Sequence, residues 1–143
     1  MRGRELHREL AGARHVMDFL EEDALRAQLA RFRRSEEFHP HPSRALLYTP
    51  GVKFLAERCG LFWLIDVIAA WQWRALRDAD LMIFQLWELR PIGTRRVLVC
   101  LRDSDSMAFA LPVGNRDSAL DYVCLYVEFG VLMLPSEKSK TPR

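Results

Sequence analysis

Closely spaced cysteines are missing from this sequence, and with them the chemistry that paired thiols support. The three cysteines, Cys59, Cys100 and Cys124, stand far apart inside apolar runs, with no CxxC spacing. That excludes a thiol-bound zinc or a thioredoxin-like redox pair, and points to buried thiols in a reducing compartment. Long hydrophobic runs are missing too. The most apolar stretch, Leu61 to Trp73, is interrupted by Asp66 and falls short of the roughly 20 residues that a membrane-spanning helix needs. Met1 to Leu10 alternates Arg, Glu and Leu without the apolar centre of a secretory signal. The resulting expectation is a cytoplasmic protein with no membrane partner.

An excess of one charge is also absent. Lys and Arg number 21 against 19 Asp and Glu, a formal net charge of +2. In the arginine-rich N-terminal third the acids Glu5, Glu9, Asp18, Glu21, Glu22, Asp23, Glu36 and Glu37 offset the bases. Nucleic-acid interfaces usually show a basic stripe without interleaved acid, so this balance disfavours nucleic acid as the main partner. Arg31, Arg33 and Arg34 are locally basic, as are Lys138, Lys140 and Arg143 in the tail. No glycine-rich phosphate loop, HExxH or serine-nucleophile spacing occurs, so no cofactor is expected.

What is present is the composition of one folded domain. The 143 residues are 50% hydrophobic and include four Trp and eight Phe, enough for a single core and too few for two. Leu6, Leu10, Ala13, Met17 and Leu20 recur at spacings of four and three, a helical stripe that Leu25, Leu29 and Phe32 continue, read as two helices. His39-Pro40-His41-Pro42-Ser43 excludes a helix, because proline lacks the amide donor and keeps its predecessor extended. Leu46 to Tyr48 is extended. Thr49-Pro50 then predicts a capped helix start, with Gly60 as its stop. Leu61 to Leu76 predicts a central helix, apolar on more than one face.

After Arg77-Asp78-Ala79-Asp80 the pattern turns to strands. Leu81 to Leu89, Arg96 to Leu101, Met107 to Val113, Tyr122 to Glu128 and Val131 to Leu134 are β-prone, with Asp103 to Ser106 as a turn. Pro112 predicts a strand end or an exposed edge. The expected fold is α+β: N-terminal helices, then an antiparallel sheet of about five strands packed on a central hydrophobic helix. The expected organisation is a helical arm over 1–34, an α+β domain over 35–137 and a basic tail over 138–143.

Four blocks in this order resemble the signatures of one protein family. They are Leu47-Tyr48-Thr49-Pro50-Gly51-Val52-Lys53-Phe54-Leu55-Ala56-Glu57, then Trp63-Leu64-Ile65-Asp66, then Phe84-Gln85-Leu86-Trp87, then Gly130-Val131-Leu132-Met133-Leu134-Pro135-Ser136-Glu137. The family resembled is one of unknown function, made of small bacterial proteins that accompany plasmid and phage genes, and the likeness runs from Phe32 to Glu137. It implies no activity. It does imply Asp where this chain has Pro50, and a Ser/Thr-Glu pair ahead of a His, positions near Ser35, Glu36 and His41.

Three functional classes follow. The first is a non-enzymatic interaction module, an inhibitor or modulator of a host or defence process encoded on a mobile element. It would bind an unidentified protein through the arm and outward aromatics, with a homodimer as one arrangement. At least one of Trp71 and Trp73 must point outward, because residues two apart on a helix face different ways. The second is a nucleic-acid accessory factor using Arg31, Arg33, Arg34 and an exposed Trp, although that cluster also suits a helix C-terminus. The third is an enzyme using Glu36, His41 and Asp66 as acid-base groups, against which stands the commoner role of an interior carboxylate as partner of Lys53, Arg44 or Tyr48. His39 and His41 lack a third metal ligand in the sequence, so no metal site is expected.

Overall fold

Thr49 and Pro50 start a helix for the reasons their chemistry gives. In the computed structural model, which describes residues 21–114 and 120–138, helix α2 spans Pro50–Cys59. The Thr49 hydroxyl accepts from the Val52 amide, Pro50 sits in the first turn, and Gly60 ends the helix at φ 66°, its amide donating to the Ala56 carbonyl. Upstream lies helix α1, residues 21–29, whose Leu25 is buried and whose Leu29 packs on the core together with Phe32. The stripe from Leu6 to Leu20 lies outside the described residues, as does the tail beyond Lys138.

The next segment differs from the single helix expected over Leu61 to Leu76. Helix α3 spans Phe62–Ala70, Trp71 interrupts, and α4 spans Gln72–Ala75. The Ile68 carbonyl, which an unbroken helix gives to the backbone amide four residues on, accepts from the Gln72 side-chain amide at 3.1 Å. Leu64, Ile65, Ile68 and Ala69 of α3 are buried and Trp63 and Val67 beside them pack partly buried against the core, while Phe62 and Asp66 look outward.

The polar break also holds structure. Asp78 caps a further helix, α5 (Ala79–Ile83), by accepting from the Asp80 and Leu81 amides. Leu81 to Ile83, expected in a strand, are therefore helical, and Leu81 is buried in the core.

Among the described residues the sheet has seven strands where about five were expected. They are β1 (His39–Pro40), β2 (Leu47–Tyr48), β3 (Phe84–Ile92), β4 (Arg95–Asp103), β5 (Ser106–Gly114), β6 (Val123–Glu128) and β7 (Val131–Met133), in spatial order β1-β2-β7-β6-β3-β4-β5. It is mixed, because β2 runs parallel to β7, pairing Leu47 with Val131 and Tyr48 with Leu132; the other pairs are antiparallel. Two-residue strands are too short for any alternation to appear in sequence, and the partner of β2 lies more than eighty residues downstream. The turn at Ser104-Asp105 is as expected, and Pro112 sits on the edge strand β5, where a missing donor breaks no inner ladder.

Alternate residues of the strands build the core. Trp87 and Leu89 of β3, Leu98 and Cys100 of β4, Phe109 and Leu111 of β5, Leu125 and Val127 of β6 and Leu132 of β7 meet the buried faces of α2, α3 and α4. A short 3₁₀ turn, η1 (Pro135–Glu137), follows β7.

Strands β6 and β7 join through Phe129-Gly130, both at positive φ (49° and 77°), as a two-residue type I′ turn requires. A left-handed backbone is unfavourable for Phe by about 1–2 kcal/mol, and its ring, 74% exposed, recovers little by burial. Phe129→Asn is therefore expected to raise stability by about 1 kcal/mol, read as a higher urea midpoint at an unchanged slope.

Candidate functional site

Three polar ties draw on residues of the four sequence blocks. The first joins the first block to the last. Glu137 is 3% exposed. Its Oε1 accepts from the Thr49 hydroxyl at 2.6 Å and the Leu134 amide at 2.9 Å, and its Oε2 from the Gly51 amide at 3.3 Å. This carboxylate sits at the N-terminus of α2, where the helix dipole favours negative charge. Around it the backbone amides of Leu47 and Thr49 donate to the carbonyls of Gly130 and Leu132, completing the parallel β2–β7 pair.

The second tie lies under the sheet. Gln72 and Gln85 exchange amide hydrogen bonds at 2.9 Å in both directions. The Trp87 indole donates to Gln85 Oε1 at 2.8 Å, and Gln85 Nε2 donates to the Leu81 carbonyl. Buried polar groups need such partners, and here each serves the next.

The third tie involves two of the three acid-base candidates. His41 Nε2 lies 2.7 Å from Asp66 Oδ1, and His41 Nδ1 lies 2.7 Å from the Ser43 hydroxyl and accepts from the Ser43 amide at 3.1 Å. Since Nδ1 accepts, the neutral ring carries its proton on Nε2, directed at Asp66. Asp66 was expected to pair with Lys53, Arg44 or Tyr48 in the interior. It is instead largely exposed and holds the turn between β1 and β2 against α3. Glu36 is exposed and bonds to neither His41 nor Asp66. His39 packs against the Tyr48 ring, and among the described residues no group of three His, Cys, Asp or Glu is placed to hold a metal.

The three thiols are all held above the ordinary cysteine range. Burial pushes Cys100 up to about 12 and Cys124 up to about 11, and raises Cys59 as well.

The basic run and the tryptophans occupy separate places. Arg33 donates to the carbonyls of Ala30 and Phe32, closing the C-terminal end of α1. Arg31 and Arg34 are exposed, and Arg34 borders a cleft of about 240 Å³ with Phe38, Phe129 and Glu137. Trp71 and Trp73 stand elsewhere, at the break between α3 and α4. That break lets them stack, at 5.9 Å and 26°, where an unbroken helix turns side chains two apart in different directions. Trp71 is half-buried against Phe109, and Trp73 is 59% exposed.

Trp73 borders a cleft of about 490 Å³ lined also by Arg74, Arg77, Asp78, Arg102 and Phe109. The Arg74 guanidinium lies 4.6 Å from the Phe109 ring centre, and that of Arg77 lies 5.2 Å from the Trp73 ring. Asp78 is the one acid among the described residues of the lining. The Arg102 guanidinium engages it at 2.6 and 2.8 Å and holds its carboxyl below the usual range. No carboxylate among the described residues pairs with Arg74 or Arg77. Three arginines against one aspartate, floored by aromatic rings, make a cleft suited to an anionic group attached to something flat or apolar.

Arg74, Arg77 and Phe109 were not among the sequence candidates. Arg77 stands four residues after Trp73, the spacing at which helical neighbours meet, so it was within reach of the pattern. Phe109 was not, because only the sheet brings it there.

The model of one protein family, described as a family of unknown function (DUF6876), matches residues 23–138. The chain belongs to this family. The match starts upstream of Phe32 and so takes in most of α1, which the motif likeness had left out. No curated protein and no solved structure matches the chain.

Proposed function

We propose that this member of DUF6876 is a non-enzymatic interaction module, acting in the cytoplasm, whose contact surface is the cleft of Trp73, Arg74, Arg77 and Phe109. Its partner is a protein that presents an acidic segment beside an apolar side chain. The observation that carries this reading is the exposed Trp73 ring flanked by two arginines without carboxylate partners. Outward tryptophan and arginine are the residues that dominate protein contact energies. The likeness of the sequence blocks to plasmid- and phage-borne proteins supports a partner in the host, bound by an inhibitor or modulator of a host or defence process.

A second reading has support in the same surface, since a nucleic-acid base stacks on an exposed Trp and its phosphate pairs with Arg. An acid-base enzyme has less support: Ser43, His41 and Asp66 form a chain, but they line neither of the two clefts described above, and Glu36 stands apart.

Affinity capture with mass spectrometry tests the proposal, using the wild-type chain and Trp73→Ala/Arg77→Glu as parallel baits in the native host. Proteins held by the wild type and lost by the folded variant are expected. Identical captures, or a chain that shifts oligonucleotides with a steep loss of binding in salt, contradict it.

A further inference from the structure

The cleft beside Trp73 is lined by three arginines, and they are not equivalent. Arg102 is engaged by the chain itself. Its Nε and Nη2 meet Asp78 Oδ2 at 2.8 and 2.6 Å, and its Nη1 donates to the Met107 carbonyl at 3.2 Å and the Ser106 hydroxyl at 3.4 Å. Asp78 is as fully occupied, because its Oδ1 accepts from the amides of Asp80 and Leu81 at the start of α5. The charges of this pair cancel, and it closes one wall of the cleft. Two positive charges are left. They belong to Arg74 and Arg77, both exposed and one turn apart, the Arg77 amide donating to the Arg74 carbonyl at 3.1 Å.

Both of these guanidinium groups rest over rings. Arg74 lies 4.6 Å from the Phe109 centre and 5.8 Å from that of Trp71, and Arg77 lies 5.2 Å from that of Trp73. A guanidinium seated on a ring keeps its in-plane N–H donors for an anion at its edge, and less side-chain freedom remains to be lost when the anion arrives. Two such cations match about two negative charges on one group. A carboxylate brings one, whereas a phosphate monoester carries about 1.5 to 2 at neutral pH, on oxygens suited to arginine forks. The rest of the lining, Trp73, Leu81, Ala108 and Phe109, is apolar, and about 490 Å³ has room for a ring as well as its phosphate. A nucleic-acid strand is the poorer match. Its phosphodiesters carry one charge each, and Trp73 is not a free platform for a base, since Trp71 stacks on it at 5.9 Å and Arg77 lies over the same ring.

We propose that the anion read by this cleft is a phosphorylated tyrosine side chain of the partner protein, with its phosphate at Arg74 and Arg77 and its ring against Trp73 and Ala108. The inference rests on the contact surface proposed above and names the group which that surface takes.

Titration of the full-length chain with small probes tests it, followed through the indole ¹H–¹⁵N signal of Trp73, which is assigned by its loss in Trp73→Phe. Phenyl phosphate is expected to bind at least about fivefold more tightly than phenyl sulfate, which has the same shape and one charge fewer, and than phenylacetate or inorganic phosphate. Arg74→Gln and Arg77→Gln are each expected to weaken phenyl phosphate by about fivefold or more, and Arg34→Gln, beside the other cleft, to leave it unchanged. Phenyl sulfate or phenylacetate binding as well as phenyl phosphate would overturn the phosphate assignment and leave the acidic-segment reading standing. Inorganic phosphate binding as well would show that the ring is not read, and adenosine monophosphate binding more tightly would give the cleft to nucleotides. A Trp73 signal unmoved by every probe would also overturn the inference, while the capture experiment judges the contact surface separately.

Discussion

Gly51→Ala is expected to destabilise the protein by about 3 kcal/mol, through overpacking at a place where two distant sequence blocks touch. A Cβ added at Gly51 would stand 2.5 Å from Glu137 Oε1 and 2.7 Å from both Glu137 Cδ and Leu134 Cδ1. Real side chains do not approach so closely, so something must move. Glu137 has nowhere to retreat, because it is buried and both its oxygens hold hydrogen bonds, one of them from the Gly51 amide itself. Displacing it would leave the Thr49 hydroxyl and the Leu134 amide without their acceptor and loosen the start of α2. The backbone angle is not the reason for glycine here, since Gly51 is helical. Urea unfolding of the variant checks this directly, and a midpoint within error of wild type would show that the contact relaxes without cost.

Gln85→Leu is expected to cost about as much, roughly 3 kcal/mol, although leucine is close in size and suits a buried site. The loss comes from groups left behind. The Trp87 indole and the Gln72 amide both donate to Gln85 Oε1, and the Leu81 carbonyl accepts from its Nε2. Each buried group without a partner costs about 1–3 kcal/mol, more than the net value of the bond it made. The double variant Gln72→Leu/Gln85→Leu should therefore be less destabilised than the sum of the single ones, because it removes donor and acceptor together. Strict additivity would deny that the two amides act as a unit.

Local chemistry made parts of this fold readable. The Thr49-Pro50 start and Gly60 stop of α2 depend only on neighbouring residues, and so do the Ser104-Asp105 turn and the alternation of β6. What was not readable depends on partners far along the chain. The β1–β2 pair and its parallel neighbour β7 are two or three residues long, and their existence is decided by the Thr49–Glu137 tie rather than by propensity. The break at Trp71 follows from Gln72 turning its amide toward Gln85, a contact across thirteen residues. Helix α5 was hidden because Asp78 and Asp80 read as a loop, whereas Asp78 is a cap.

The same division holds for the candidate surface. Trp73 could be singled out from helical geometry alone. The flooring by Phe109 and the engagement of Asp78 by Arg102 could not, since both come from strand register. His41 and Asp66 were paired with Glu36 on chemical type, and the fold joins the first two because the turn before β2 folds back on α3.

The proposed contact surface rests on one separation: the residues of the polar ties hold the chain together, whereas Trp73 and Arg77 at the edge of the cleft carry little of its stability. Urea unfolding of two sets of variants measures it most directly. Gly51→Ala, Gln85→Leu and Thr49→Val should lower stability by about 1–3 kcal/mol each, whereas Trp73→Ala and Arg77→Ala should stay within about 0.5 kcal/mol of wild type. Cleft variants as unstable as the first set would make Trp73 and Arg77 structural, and the contact surface would have to be sought elsewhere.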